Sequence, residues 1–274
     1  MLHEHFEVAA GSIAGRDHVR AGRNNQDALA VVVSAEAVVA VVCDGCGSGR
    51  ASELGARAGA RLVAEAIRGV VQGDVPAGDP RFWARVRHQL LARLAALAEA
   101  MGGDLARTVH DHFLFTVVAA VVTREVTAVA AVGDGAFALD GELRALGPFA
   151  DNAPPYPGYA LLDAAAPATR FAIHHVVPTD AVRSLLVATD GIADVARCAQ
   201  RPLPGTDRPL GPIAQFWTED RYFANPDLVR RRLAMANREV TRPDWERRRV
   251  VVHPGLLPDD TTLVAIRRRG GSTR

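Results

Sequence analysis

The chain has 274 residues, 49% hydrophobic and 23% charged, with a formal net charge of +1; that supports a packed core and argues against a nucleic-acid or anionic-membrane surface. All 32 basic side chains are arginines, so a single Arg carries little functional weight. Three cysteines make no disulfide framework, the N-terminus lacks the basic start and apolar core of a signal peptide, and no stretch approaches the roughly 20 apolar residues of a membrane span, so a cytoplasmic protein is expected.

Residues 11–27 are polar and glycine-dotted, ending in Arg23-Asn24-Asn25-Gln26-Asp27. A strand follows over 28–33, a turn at Ser34-Ala35-Glu36, and a second strand over 37–43 that runs into Asp44-Gly45-Cys46-Gly47-Ser48-Gly49. Helical spacing over 50–69 sets Leu54, Ala58, Leu62 and Ala66 on one stripe and Ala51, Gly55, Gly59 and Val63 on another. A loop over 70–80 leads to a second amphipathic helix from Phe82 to Met101. From Phe113 the period becomes that of strands: 113–122, 126–132 and 136–139, with turns at Thr123-Arg124-Glu125, Gly133-Asp134-Gly135 and Asp140-Gly141. Residues 147–168 are Pro-rich loop; 171–177 and 184–188 are strands, the latter ending in Thr189-Asp190-Gly191. The Pro- and Gly-rich stretch 198–226 covers part of the surface, 228–240 is helical, and Asp259-Asp260-Thr261-Thr262 enters a last strand. With no internal repeat and no Gly/Ser linker, one α+β domain over 1–274 with mostly antiparallel pairing is expected.

Asp27, Asp44, Asp134, Asp190 and Asp259 each stand at the end of an apolar strand. Carboxylates converging at one end of a sheet repel one another, and hard divalent cations with oxygen ligands remove that conflict. Asp44, Asp134 and Asp190 are each followed by Gly, which allows a tight turn and leaves a carbonyl accessible. Taken singly, an Asp-Gly between strands is an ordinary hairpin turn and Asp259-Asp260 is solvated loop charge; the joint pattern carries the inference.

Asn25-Gln26-Asp27-Ala28, Val42-Cys43-Asp44-Gly45-Cys46-Gly47-Ser48-Gly49, Gly133-Asp134-Gly135, Thr189-Asp190-Gly191 and Asp259-Asp260-Thr261-Thr262, in that order, resemble the metal-dependent serine/threonine phosphatases of type 2C over about residues 12–266. The resemblance implies a sandwich of two antiparallel β-sheets flanked by α-helices on both sides. It implies two Mn²⁺ or Mg²⁺ ions at one end, and hydrolysis of phosphoserine and phosphothreonine monoesters by a metal-activated hydroxide without a phosphoenzyme. By match, Asp44 bridges both ions beside the Gly45 carbonyl, Asp190 and Asp259 hold one, Asp27 acts through metal-bound water, and Asp134 is an additional ligand. The implied partner is a phosphoprotein made by a serine/threonine kinase, with no nucleic acid and no membrane.

The chain departs from that family at three places. Gln26 stands where the family has Glu. The family's phosphate-binding Arg falls on Gly22, leaving Arg23 or Arg20 for the role. Cys46 replaces a His that many members carry as proton donor, for which His18 is the substitute. These departures motivate a second reading, a catalytically weak or inactive regulatory module on the same scaffold. The Cys43-Asp44-Gly45-Cys46 spacing also fits a redox pair, which leaves the other aspartates unexplained, and Gly45, Gly47 and Gly49 suggest a dinucleotide loop, whose G-x-G-x-x-G pattern fails at the third glycine.

Overall fold

The computed structural model describes residues 2–150, 153–164 and 166–270. In chain order, helix α1 (Leu2–His5), strand β1 (Phe6–Ile13) and helix α2 (Arg16–Arg20) precede strands β2 (Asp27–Val33) and β3 (Val38–Asp44). Helices α3 (Ser52–Val71), α4 (Pro80–Met101) and α5 (Leu105–His112) follow, then strands β4 (Val117–Val122), β5 (Val126–Val132), β6 (Gly135–Leu139), β7 (Glu142–Leu146), β8 (Ala172–Pro178) and β9 (Ser184–Ala188). Helices α6 (Ile192–Arg197), α7 (Gln215–Thr218), α8 (Arg221–Ala224) and α9 (Leu228–Asn237), the hairpin β10 (Val240–Asp244) and β11 (Arg249–His253), and strand β12 (Thr261–Arg268) complete the order.

Two five-stranded antiparallel sheets, β1-β12-β9-β6-β7 and β2-β3-β4-β5-β8, face each other. Strand alternation assigns the layers. Val38, Ala40 and Val42 of β3 turn inward with Val118, Phe137, Leu185, Val187, Val264 and Ile266 to fill the space between the sheets. Val39, Val41 and Cys43 of the same strand turn outward onto α3 and α4. The other sheet buries its outer face against residues from 192 to 257, including Phe216, Tyr222, Val229 and Leu233. This is the expected α+β sandwich with helices on both sides. No helix among the described residues is long and apolar enough to cross a membrane.

Glycine decides how closely α3 packs. Its buried stripe runs through Gly55, Gly59 and Val63, while Leu54 of the other stripe is 52% exposed. A Cβ on Gly55 would fall 1.8 Å from the His112 carbonyl oxygen, and one on Gly59 would fall 2.3 Å from the Phe115 ring. Helix α4 starts where Asp79 caps it, its carboxylate accepting from Arg81 N at 2.8 Å with Pro80 at the first turn. Phe82, Trp83, Val86, Leu90 and Leu94 form its buried face.

Several elements depart from the sequence expectation. Strand β1 lies ahead of the polar stretch, where small residues hide its period. Its Gly11 lets α9 cross it, since a Cβ there would lie 2.6 Å from Arg230 N. Residues 105–112 form the short helix α5, capped by Asp104, so the following strand begins at Val117 and not at Phe113. The helix expected over 228–240 stops at Asn237, because Arg238 turns extended, and Val240 opens a hairpin. Residues 198–226 do more than cover surface: Leu203, Leu210, Phe216 and Tyr222 are buried in the outer core.

Candidate metal centre

Antiparallel pairing brings the acidic strand ends to one end of the sandwich. Asp27 opposes Asp44 directly in the β2–β3 register. The end of β9 meets the start of β12 (Ala188 with Leu263), and the start of β6 meets the end of β9 (Ala136 with Ala188), so Asp134, Asp190 and Asp259 emerge beside Asp44. Asp134 turns the chain between Gly133 (φ 89°) and Gly135 (φ 131°), backbone conformations that L side chains rarely adopt.

These ends enclose a cleft of about 390 Å³ lined by Asp44, Asp134, Asp190 and Asp259 together with His18, Gln26, Gly45 and Cys46. Among the described residues, no arginine lines it. Burial, followed by the charges of Asp27, Asp190, Asp259 and Asp134, pushes the Asp44 carboxyl well above the usual range. Burial is also the main cause for Asp190, pushed up to about 6, with Asp259 and Asp134 adding to it. Asp134 and Asp259 are raised as well, burial first.

Asp27 does not line the cleft. It lies buried behind Asp44, and its Oδ2 accepts from the Thr189 hydroxyl at 2.7 Å. Burial outweighs that bond, so its pKa too is well raised. The main chain at Asp44 is clamped on both sides: its carbonyl accepts from Thr116 N at 2.8 Å, and Gly45 N donates to the Gln26 carbonyl at 3.1 Å.

Asp260 follows Asp259 in the sequence and has no expected role among the ligands. In the structure it is a buried hub, accepting from Gly15 N and Gln26 N at 2.6 Å each. His18 Nδ1 lies 2.8 Å from its Oδ1, off the line a hydrogen bond needs. Ligand atoms of His18, Asp259 and Asp260 lie within 4.8 Å of one another, the one such group among the described residues. Gly15 makes this turn possible. A Cβ there would sit 2.3 Å from the Asp259 carbonyl carbon, so Gly15→Ala is expected to cost about 1–3 kcal/mol by backbone overpacking. Urea titration reads the stability loss, and an unchanged midpoint would show that the 258–260 turn yields freely.

Neither arginine candidate lines the cleft. Arg20 is held by Glu239 at 2.8 Å. Arg23 donates to the Gly47 carbonyl at 2.7 Å, and Gly47 does line the cleft, so Arg23 sits at its rim. Tyr156, which no sequence motif marks, is delivered to the cleft by the Pro-rich loop, where it bonds the Cys46 thiol; Cys46 Sγ also lies 3.2 Å from Ser48 Oγ. Burial raises the Cys46 pKa, but these bonds and the Ser48 and Gly49 amides outweigh it and the thiol is lowered. Burial raises Cys43, which packs into the helix-side core, so the pair has no redox-site geometry. No residue of 198–226 lines the cleft.

The donor set fits hard divalent cations: four carboxylates and a backbone carbonyl, with no cationic side chain from Arg among them. The Gln26 Oε1 atom is buried without a hydrogen-bond partner, a free neutral oxygen among the cleft-lining residues; its Nε2 is taken by Ser52 Oγ at 2.9 Å. The model of the protein phosphatase 2C family matches residues 14–231. The chain belongs to the protein phosphatase 2C family. Its fold is similar to that of serine-threonine phosphatase 2C from Toxoplasma gondii (15% identity, 97% of this chain and 95% of that one, TM-score 0.59). It is similar also to a bacterial serine phosphatase (14%, 98% and 100%, 0.54) and to the serine/threonine phosphatase Stp1 from Staphylococcus aureus (13%, 97% and 96%, 0.53). At these identities the likeness concerns the fold alone. No curated protein matches the chain.

Proposed function

We propose that this 2C-family chain is an active, Mn²⁺- or Mg²⁺-dependent phosphatase that hydrolyses phosphoserine and phosphothreonine in cytoplasmic proteins with two ions. The observation that carries the reading is four acidic side chains lining one cleft without an arginine among the lining residues. Asp44 would serve both ions with the Gly45 carbonyl beside it, Asp190 and Asp259 would hold one of them, and Asp134 and the free Gln26 Oε1 would be further oxygen donors. Mg²⁺-type ions keep several waters and take only one or two carboxylates each, so the donors need not touch. When bound, the ions supply a water of lowered pKa and positive charge for the phosphoryl oxygens.

The chain's own groups do the rest. Asp27, held by the Thr189 hydroxyl and directly opposite Asp44 in the β2–β3 register, backs Asp44 from outside the cleft. Arg23, at the rim, is the group that exchanges its bond to the Gly47 carbonyl for a substrate phosphate oxygen. His18, set against Asp260, is the proton donor to the leaving oxygen.

The test is hydrolysis of p-nitrophenyl phosphate by the full chain with added Mn²⁺ and again with chelator. Metal-dependent turnover is the expected result. Absence of both turnover and calorimetric Mn²⁺ binding would leave the regulatory module as the better reading.

A further inference from the structure

The hairpin β10–β11 belongs to neither sheet and lies beyond the family match, which ends at residue 231. Its attachment tells which face is free. Arg242 donates to the Gly205 carbonyl, and Val240 packs at Gly205. The register opposes Val240 to His253 and Arg242 to Val251, so alternation turns Thr241, Pro243, Val250 and Val252 to the opposite, outward face. That face is apolar and wet: Val250 is 64% exposed, Val252 49%, and Trp245 at the tip 83%. An apolar strip of this kind marks an interaction surface, and Trp beside Arg is the composition of interface anchors.

Charge and backbone narrow the partner. The Arg249 guanidinium pairs with Asp244 at 3.3 Å and the Arg247 amide donates to the same carboxylate at 3.1 Å, whereas the guanidinium groups of Arg247 and Arg248 form no ion pair among the described residues. Pro243 lacks an N–H and blunts the β10 edge, but Val250-Val251-Val252 leaves β11 an edge with neither proline nor charge. An isolated two-stranded hairpin is marginal in water, and a third strand is what such an element lacks. The base of the hairpin is tied to α2, which carries the cleft-lining His18. Glu239 pairs with Arg20 of α2, the helix that carries His18, and Arg16 of the same helix donates to the Gly255 carbonyl at 2.9 Å on the way to Asp259.

We propose that β11 and Trp245 dock an extended acidic segment of the phosphoprotein substrate. The segment adds as a third strand, its carboxylates meeting Arg247 and Arg248 and its apolar side chains covering Val250, Val252 and Trp245. Main-chain bonds along the edge supply affinity and alternate side chains supply choice. The proposal rests on the phosphatase reading for the identity of the partner. An anionic membrane would use the same Trp and Arg but would leave the strand-edge amides unsatisfied.

The experiment compares phosphothreonine peptides carrying an alternating Glu-Val tail, on either side, with peptides carrying a Ser-Gly tail. Trp245→Ala, and separately Arg247→Ser with Arg248→Ser, are expected to raise KM for the Glu-Val peptides about ten-fold. Turnover of p-nitrophenyl phosphate and of the Ser-Gly peptides stays as in the wild type. The unphosphorylated Glu-Val peptide is expected to change tryptophan fluorescence through Trp245, because Trp83 and Trp217 are only 2% and 9% exposed, and Trp245→Phe removes the change. Equal KM for both tails, no fluorescence response, or binding to phosphatidylglycerol vesicles without binding to the peptide would each overturn the proposal. Failure to hydrolyse p-nitrophenyl phosphate would sink the phosphatase reading alone, since the fluorescence titration still decides the docking.

Discussion

Asp44→Asn is expected to lower kcat by at least about 10²-fold with Mn²⁺ while raising the melting temperature of the metal-free protein. Loss of a residue that merely orients a metal ligand costs about 10–100-fold, so loss of a carboxylate shared by two ions costs no less than the upper end of that range. The stability change has the opposite sign for a physical reason. In the metal-free protein Asp44 is buried opposite Asp27 and within the field of Asp190, Asp259 and Asp134. It must either hold its charge there or take up a proton that a free carboxyl would not hold at neutral pH, and both options cost folding free energy. Asn keeps the shape and removes that cost. The same substitution should abolish most of the stabilisation that Mn²⁺ gives the wild type. Scanning calorimetry of both proteins with and without Mn²⁺ makes the comparison; an active variant, or one less stable than the metal-free wild type, would show that Asp44 is not the centre of a metal site.

The residues of the cleft were legible wherever an apolar run ends abruptly in Asp-Gly, because such a run has one plausible partner surface and one exit. β3, β5 and β9 run into Asp44-Gly45, Asp134-Gly135 and Asp190-Gly191, Asp259 leads into β12, and the antiparallel order brings these four aspartates together. What stayed hidden depends on contacts between distant segments. Asp260 is adjacent to Asp259 in sequence and equally acidic, yet one side chain lines the cleft while the other is buried under two backbone amides from residues 15 and 26. No local pattern separates them. Tyr156 was equally invisible, since a Pro-rich loop has no period to place it; the close seat of Gly158, whose Cβ would fall 2.1 Å from the Phe113 carbonyl, is what carries the loop to the cleft. β1 was missed because Ala and Gly alternate weakly in hydrophobicity, although its Gly11 signals the crossing helix to a reader who knows where α9 lies.

The clustered carboxylates also set how the metal-free protein responds to pH. Asp27, Asp44, Asp134, Asp190 and Asp259 all hold their protons more tightly in the folded chain than in the unfolded one, where Asp titrates near 3.9. A raised folded pKa contributes stability that is fully present below the unfolded value and is lost as pH rises through the folded value. For Asp190 that loss accrues from the unfolded value up to about 6. The melting temperature of the chelator-treated protein should therefore fall between about pH 4 and pH 7, in the window where most proteins gain stability as their carboxylates ionise. Divalent cations bind the ionised form, so they should reverse the trend. A site at a hundred times its Kd adds about 2.7 kcal/mol, worth several degrees for a domain of this size. The sign of the slope is the decisive quantity: a metal-free protein whose melting temperature rises from pH 4 to 7 would mean that its acidic strand ends are already neutralised by the chain itself, leaving no electrostatic reason for metal at the cleft.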